Sequence, residues 1–214
     1  MRFSRFCRPL PSPGVAKIVV GLGNPGPTYA RSRHNAGFMC LSYLAKNLDT
    51  AFDKKEGLAR TAHSVIGTVP VLLARPQTYM NLSGQAVVKL ISKYHLAPAD
   101  LIVIHDDIDL RLGQLRIRYG GRSAGHRGIA SIISELGRED FIRVRLGVGR
   151  PVLDNPDDKQ VAVIDFVLED FSEAESEIVA QVIPRVAEAV RTIVAEGPET
   201  AMNAYNHPPP NPTG

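Results

Sequence analysis

A histidine in a polar loop and a cluster of aspartates are the first residues of this sequence that could carry chemistry. His34 lies in the polar stretch Arg31–Asn35, where a neutral imidazole can act as a general base. Asp106 follows the apolar run Leu101–His105 and is the first of three aspartates within four positions. An aspartate can orient an imidazole and stabilise its protonated form. The pair therefore predicts general-base chemistry, if the fold brings the two residues together.

The aspartate cluster also permits a different chemistry, the binding of a divalent metal ion. Asp106, Asp107 and Asp109 would supply oxygen ligands at the end of one strand. The other polar candidates are amides and arginines, and an arginine repels a cation. We therefore favour a single aspartate that orients His34 and predict no metal, and a metal-dependent hydrolase remains the alternative.

A glycine-rich loop follows the first apolar run of the sequence. Gly21–Gly26 matches the G-x-G-x-x-G pattern of dinucleotide sites, which requires a helix to begin at the third glycine. Here Pro25 lacks an N–H donor, and the polar stretch Thr28–Asn35 delays the next helix. We favour a tight loop that presents Asn24 at the carboxyl end of a strand. A second amide, Asn81, precedes another predicted helix and can cap that helix or face a cleft.

Arginines alternate with apolar residues along two predicted strands, close to a glycine-rich loop at Gly120–Gly128. Alternate residues of a strand face the same side of the sheet, so each strand presents its arginines together. Arginine pairs of this kind suit phosphate groups, although an ordinary solvated face is the alternative. The four arginines that could form such a clamp are Arg116, Arg118, Arg143 and Arg145.

Strands interleaved with helices predict an α/β fold, a single-domain sandwich with a central mixed, mostly parallel twisted sheet flanked by helices. We expect the folded domain at residues 16–205, a flexible N-terminal extension at residues 1–15 and a flexible proline-rich tail at residues 206–214. Strands are predicted at Lys17–Leu22, Leu58–Thr68, Val69–Ala74, Leu101–His105, Leu115–Tyr119, Ile142–Gly149 and Val161–Leu168. Helices are predicted at Ala36–Leu48 with Asn35 as N-cap, Ser83–His95, Ile129–Leu136, and from a capping box at Ser172 and Glu175 to about Glu196.

The charge is distributed unevenly along the chain. Residues 1–110 carry 13 Lys/Arg and 7 Asp/Glu, residues 111–150 carry nine Arg and three acids, and residues 151–214 carry 3 basic and 12 acidic residues. A basic middle predicts a polyanionic partner, unless the basic segments pair with the acidic one. No apolar run is long enough for a transmembrane helix, and two cysteines cannot form a disulfide scaffold.

Five segments together resemble the bacterial-type peptidyl-tRNA hydrolase family: VGLGNPGPTYARSRHNAGF, RPQTYMNLSGQAV, IHDDIDLRLGQLRIRYGG, GHRGIASI and RVRLGVGRP. They occur in the order and spacing of the family, and the resemblance covers residues 16–205. It implies a cytoplasmic, monomeric enzyme without metal or cofactor that hydrolyses the ester between a peptide and the 3′-terminal ribose of tRNA. Such an enzyme recycles tRNA for translation. Its expected partner is tRNA, and it is expected to bind neither a membrane nor DNA.

The resemblance also implies roles for individual residues. His34 would be the base, and Asp106 would support it. Asn24 would help to select peptidyl over free aminoacyl substrate, and Asn81 would hold the substrate near the ester. The residues that would contact the tRNA are Tyr29, Tyr79, Arg118 and Arg145.

One position departs from the family pattern. The family loop usually has the sequence GHNG, and its Asn contributes to the substrate cleft, whereas this chain has Arg127 there. Arginine cannot accept a hydrogen bond and adds a charge, so we expect it to bind a phosphate of the substrate or an acidic neighbour. The change favours an alternative function, that of a catalytically silent RNA-binding relative, while the retained His34, Asn24 and Asn81 argue against it.

Overall fold

A seven-stranded sheet forms the centre of the computed structural model, which describes residues 14–151 and 159–207. The strands are β1 (Lys17–Gly21), β2 (Lys54–Glu56), β3 (Ala59–Ile66), β4 (Val69–Pro76), β5 (Leu101–Asp107), β6 (Leu115–Tyr119) and β7 (Ile142–Gly147). Their order across the sheet is β2-β3-β4-β1-β5-β7-β6. The neighbours β4, β1, β5 and β7 are parallel, whereas β3 and β6 run antiparallel to the strands beside them. Because five of the seven strands share one direction, the prediction of a mixed, mostly parallel sheet is confirmed.

Helices cover both faces of this sheet. Within the described ranges they are α1 (Ala36–Asn47), α2 (Ser83–Lys93), α3 (Arg127–Leu136), α4 (Lys159–Leu168), α5 (Glu173–Glu196) and α6 (Pro198–Tyr205). One core lies between the sheet and α1, α5 and α6, and the other between the sheet and α2 and α3. Along β1, Val19 belongs to the first core, while Ile18 and Val20 belong to the second. A strand buried on both faces needs a continuous apolar run, which is why Lys17–Leu22 could be predicted as a strand.

The prediction of a strand at Val161–Leu168 is wrong, because these residues belong to the helix α4. A short apolar run fits a buried strand and a buried helix equally well when periodicity alone is considered. The run does not enter the sheet. Instead α4 packs against the turn Arg33–Asn35, and Val161 and Leu168 remain 64% and 38% exposed.

Two elements were not anticipated from the sequence. The edge strand β2 has the sequence KKE and so lacks the alternation of apolar residues that marks a strand. The helix α6 begins at Pro198, which is a favoured residue in the first turn of a helix and was the available signal. None of the helices in residues 14–151 and 159–207 is long and apolar enough to cross a membrane.

A close contact between α1 and the sheet fixes the position of the loop that precedes α1. A Cβ atom at Gly37 would lie 2.4 Å from the Ile104 carbonyl oxygen and 2.5 Å from the Leu22 main-chain nitrogen, so only glycine fits. The Phe38 N–H donates to the Leu22 carbonyl oxygen at 3.1 Å. The first turn of α1 therefore lies directly against β1 and β5, and it brings the preceding residue His34 to the end of β5.

The boundaries of the folded region lie slightly outside the expected ones. Val15 was expected in the flexible extension, but it is 3% exposed and belongs to the core beside α2. Asn206 was expected in the flexible tail, but its amide accepts from the Ile117 N–H at 2.6 Å and donates to the Ile117 carbonyl at 3.0 Å. That pair of hydrogen bonds satisfies part of the open edge of β6. Residues 1–13 and 208–214 lie outside the described residues.

Candidate active site

A cleft of about 560 Å³ opens at the carboxyl ends of β1, β4 and β5. In open parallel sheets this edge is the usual place for ligands, because the loops that follow the strands converge there. The described loops supply most of the polar residues, and α4 adds apolar ones. Among the residues that line the cleft are Asn24, His34, Asn81, Asp106, His126 and Arg127.

His34 and Asp106 meet at the floor of this cleft, although 72 residues separate them in the sequence. The Nδ1 atom of His34 lies 3.0 and 2.9 Å from the two carboxylate oxygens of Asp106. Nδ1 therefore donates to the carboxylate, and Nε2 is left without a proton in the neutral ring. No hydrogen bond engages Nε2 within the described part of the chain, so this atom is available to accept a proton from a bound water.

A second imidazole, that of His126, holds the other side of the Asp106 carboxylate. The Nδ1 atom of His126 accepts from the Gly128 and Ile129 N–H groups at 3.1 and 3.2 Å, and thereby caps α3. Because Nδ1 is an acceptor, Nε2 carries the proton and donates to Asp106 Oδ1 at 3.0 Å. Asp106 thus receives hydrogen bonds from two rings whose orientations are both fixed. The sequence analysis missed His126, and its position directly before a helix was the available signal.

Burial and these contacts shift the acidities of the cluster in opposite directions. Burial alone would raise the pKa of Asp106, but the facing His34 and His126 hold that pKa well below its usual range. For His34, burial lowers the pKa and Asp106 raises it, with a net rise above the ordinary value of 6.5, while the Arg127 charge opposes this rise. When an imidazole acts as a general base it becomes positively charged, and a neighbouring carboxylate that stays ionised stabilises that charge.

His105 is a third histidine in this cluster, and its ring packs edge-on against that of His126 without lining the cleft itself. It is 3% exposed, and its Nδ1 donates to the main-chain oxygen of Asp106 at 2.6 Å. Burial, with a smaller contribution from His126, lowers the pKa of His105 well below its usual value. His105 therefore stays neutral and serves to fix the backbone that carries Asp106.

Asn24 is held by a network that leaves one half of its amide free. Its Oδ1 accepts from the Met80 N–H at 2.8 Å, so Nδ2 is the atom that remains available to a ligand. The Asn24 main chain exchanges two hydrogen bonds with the side chain of Asn35, at 2.8 and 3.0 Å. Asn35 occupies the predicted N-cap position of α1, but its amide makes no capping hydrogen bond there and instead ties the loop of Asn24 to the turn of His34.

The other residues that were expected to meet the substrate also line the cleft. Asn81 lies in the 3-10 turn Met80–Leu82 before α2, and its exposed side chain makes no hydrogen bond within the described residues. Tyr29 is half-buried, and Tyr79 is 62% exposed at the rim. Within residues 14–151 and 159–207, the polar groups of these three side chains have no hydrogen-bond partner, so they are available to a ligand.

The four arginines of the expected clamp differ in their surroundings. Arg143 is buried and stacks on Phe141, and its guanidinium donates to the Gly121 and Arg122 carbonyls, so it supports the glycine-rich loop and cannot bind phosphate. Including it in the clamp was wrong, because the alternation along a strand predicts a face but not its exposure. Its cross-strand neighbour Arg118 is exposed.

Arg145 lies between the exposed arginine strand and the cleft. Its Nε donates to Asp107 Oδ2 at 2.6 Å, and its side chain is 20% exposed. Arg116, opposite Arg145 on β6, is exposed. The basic strip formed by Arg116, Arg118 and Arg145 therefore runs outward from the rim of the cleft.

The aspartates that were considered as metal ligands do not converge. Asp107 faces Arg145, and Asp109 forms an ion pair with Arg150. Within the described residues the potential ligand atoms that do converge belong to His34, Asp106 and His126, and they lie within 4.8 Å of one another. Direct hydrogen bonds among these three residues already account for their proximity.

Arg127 lies in the first turn of α3, and its exposed side chain lines the cleft. No hydrogen bond or ion pair engages its guanidinium within residues 14–151 and 159–207. Its charge nevertheless acts on His34, since it lowers the pKa of that ring. The expected acidic neighbour is therefore not found among the described residues, and a phosphate of the substrate remains the predicted ligand.

The fold and this cleft define a class of protein, an α/β protein with a hydrogen-bonded histidine–aspartate pair in an open cleft at the carboxyl ends of the strands. The family model described as peptidyl-tRNA hydrolase matches residues 18–213. The chain is 48% identical over 191 residues to the peptidyl-tRNA hydrolase of Moorella thermoacetica, which covers 89% of this chain and 97% of that protein. It is 46% identical over 190 residues to the enzyme of Dehalococcoides mccartyi, with 89% and 99% covered.

A solved structure supports the same assignment. The crystal structure of peptidyl-tRNA hydrolase from Acinetobacter baumannii has a TM-score of 0.81 and 32% identity, and the match covers 90% of this chain and 96% of that one. The chain belongs to the peptidyl-tRNA hydrolase family.

Proposed function

We propose that this protein hydrolyses the ester bond between the peptide and the tRNA in prematurely released peptidyl-tRNA, and so recycles tRNA for translation. Membership of the family supports the substrate class. The observation that carries the mechanism is the His34 ring, which lines the cleft while its Nδ1 is bound to Asp106. We further propose that the protein acts in the cytoplasm as a monomer, with tRNA and not DNA as its partner.

His34 activates the water in this mechanism. Nε2 takes a proton from a water as its oxygen attacks the ester carbonyl, and Asp106 stabilises the imidazolium that forms. General-base help of this kind contributes about 10²- to 10⁴-fold to the rate. The proton then leaves His34 for the ribose oxygen as the ester bond breaks, which restores the neutral ring.

Two amides serve the acyl part of the substrate. Asn81 donates to the developing oxyanion, an interaction worth about 3–4 kcal/mol in comparable sites. Asn24 presents only Nδ2 to the cleft, because its Oδ1 is occupied by the Met80 N–H. A donor of this kind donates to the carbonyl oxygen of a peptide bond and offers no acceptor to an ammonium group, so it favours peptidyl over free aminoacyl substrates.

The tRNA contacts follow from the exposed surface beside the cleft. Tyr29 and Tyr79 offer aromatic rings on which the unpaired 3′ end can stack. Arg118 and Arg145 add affinity for phosphate that depends little on sequence. An acceptor arm bound along this strip would direct its 3′ end into the cleft.

The purified full chain provides the test of this proposal. We expect rapid release of peptide from peptidyl-tRNA, little release of amino acid from aminoacyl-tRNA, and the same rates in excess chelator. Loss of activity in chelator that returns with added metal would favour the metal-dependent alternative. Binding of tRNA without any release of peptide would favour a catalytically silent relative, the alternative to which the Arg127 departure points.

A further inference from the structure

Arg127 is the charged residue of the cleft whose charge is left uncompensated by the described part of the chain. The other two charged residues that line the cleft are Asp106, which receives hydrogen bonds from two imidazoles, and Asp107, which faces Arg145. Arg127 has neither an acid nor a hydrogen-bond acceptor beside its guanidinium in residues 14–151 and 159–207. A bound anion would supply the missing partner.

Two main-chain N–H groups in the first turn of α3 are not available for this task. The Gly128 and Ile129 N–H groups, which would otherwise point at an anion from the first turn of α3, already donate to the His126 ring. The side chain of Arg127, which lines the cleft, is therefore the group that we expect to make the main contact with an anion here. Its planar guanidinium is suited to the paired oxygens of a phosphate group.

The position of Arg127 distinguishes between two anions that the reaction provides. The oxyanion develops next to the His34 ring, which is 7% exposed at the floor of the cleft, and the Asn81 amide is available to it. Arg127 lies at the exposed rim instead. An anion at the rim belongs to the nucleic-acid part of the substrate and not to the reacting acyl group.

We propose that Arg127 binds the phosphodiester that precedes the terminal nucleoside of tRNA, and so holds the 3′ end while the ester lies against His34. This inference rests on the proposed hydrolysis of peptidyl-tRNA. The contact lies within the cleft and is separate from the strip of Arg116, Arg118 and Arg145. It adds a charge-dependent contact where the family usually has a neutral amide.

Two small substrates distinguish binding of a phosphate by Arg127 from contact with the acyl group and from no role at all. The first is an N-acetylated aminoacyl ester of adenosine, which has no phosphate, and the second is the same ester on a cytidine-cytidine-adenosine trinucleotide. We expect Arg127→Met to lower kcat/KM about tenfold on the trinucleotide ester and less than twofold on the adenosine ester. Arg127→Lys, which keeps the charge, should recover part of the loss. Arg122→Met, at an exposed arginine of the same loop outside the cleft, should show no difference between the two substrates.

The other outcomes overturn the proposal. An equal loss on both esters would assign Arg127 to the acyl group, and no loss on either would make it a bystander. If the wild-type protein hydrolyses neither ester and releases no peptide from full-length peptidyl-tRNA, the proposed function fails and this inference fails with it. If the wild type is active and the Arg127→Met losses do not differ, the inference alone fails.

Discussion

His126 has two tasks in this structure, because one ring nitrogen caps α3 and the other holds Asp106. Each bond defines the tautomer that the other requires. The carboxylate is thereby fixed between two rings, and His34 can be oriented by Asp106 only while this arrangement persists. The two tasks can be separated by substitution.

Replacing His126 by Ala should lower both stability and turnover, whereas replacing it by Asn should lower turnover alone. Asn is a strong N-cap residue, but its short side chain cannot cap α3 and also reach Asp106. We expect His126→Ala to cost about 1 kcal/mol in the free energy of unfolding, measured by urea denaturation. We expect kcat to fall in both variants. Full activity in the Asn variant would show that the contact with Asp106 is dispensable.

The pH dependence of the reaction should follow His34. The base acts in its neutral form, and its pKa lies above 6.5, so kcat/KM should rise with pH through a value above 6.5. The positive charge of Arg127 lowers this pKa, and its loss in Arg127→Met should therefore move the rise to still higher pH. Initial rates across the pH range provide the measurement. A profile that is flat between pH 5 and 8 would remove His34 from the role of base.

Several of these residues could be predicted from the sequence, and others could not. His34, Asp106 and Asn24 follow or precede recognisable apolar runs, so their convergence at one edge of the sheet was predictable. The role of His126 depends on the backbone geometry of the N-cap, which no pattern of residue types specifies. Arg143 was assigned to the wrong surroundings because the glycine-rich loop folds back over it.

At the scale of elements, a polar cluster joins the edge of the sheet to α2. Burial alone would raise the pKa of Glu56, but hydrogen bonds from the groups around it lower that pKa to about 2. The donors are Lys93, Tyr94, Thr61 and His63. The short strand β2, which has little apolar surface of its own, is therefore held in place by its pairing with β3 and by one buried carboxylate.

Glu56→Gln should destabilise the protein in a pH-dependent way. Because the folded pKa lies below the usual 4.5, the ionised Glu56 contributes stability that is fully present above pH 4.5 and lost as the pH falls towards 2. We expect a loss of about 1–3 kcal/mol at pH 6 that shrinks at lower pH. Urea denaturation at several pH values provides the measurement, with Asp140→Asn, at an exposed ion pair, as the control that should change little. A constant difference at all pH values would contradict this account.

The elements differ in how far the sequence determines them. The helix α5 could be located because Ser172 and Glu175 form the predicted capping box. The type of α4 could not, because the mostly apolar run Val161–Leu168 fits either a strand or a helix. Its environment decides the outcome, since β6 and β2 already occupy the two edges of the sheet and α4 packs beside the cleft.

At the scale of the whole molecule, the arginines of residues 111–150 do not form an evenly charged surface. The exposed ones form a strip beside the cleft. Arg116 and Arg118 are exposed on β6, Arg145 is partly covered by Asp107, and Arg143 is buried. The unequal burial means that the arginines should contribute unequally to binding. The net charge of the segment alone could not have shown this.

Binding of tRNA should weaken steeply with salt, and this dependence should identify the arginines that touch phosphate. Each phosphate contact that is removed lowers the slope of log affinity against log salt concentration by about 1. We expect Arg118→Ala to show this change. Arg60→Ala, at an exposed arginine on β3 towards the far edge of the sheet, should leave the slope unchanged. Equal slopes for the wild type and the Arg118 variant would argue against the strip as the path of the tRNA.

The central claim is that Asp106 acts through His34, and a double-mutant cycle on peptide release from peptidyl-tRNA tests it most directly. We expect His34→Ala and Asp106→Asn each to lower kcat by at least about 10²-fold with tRNA binding largely retained. Residues that act as one unit give non-additive losses, so the double variant should be no slower than His34→Ala alone. Losses that multiply in the double variant, or near-wild-type turnover in His34→Ala, would contradict the account.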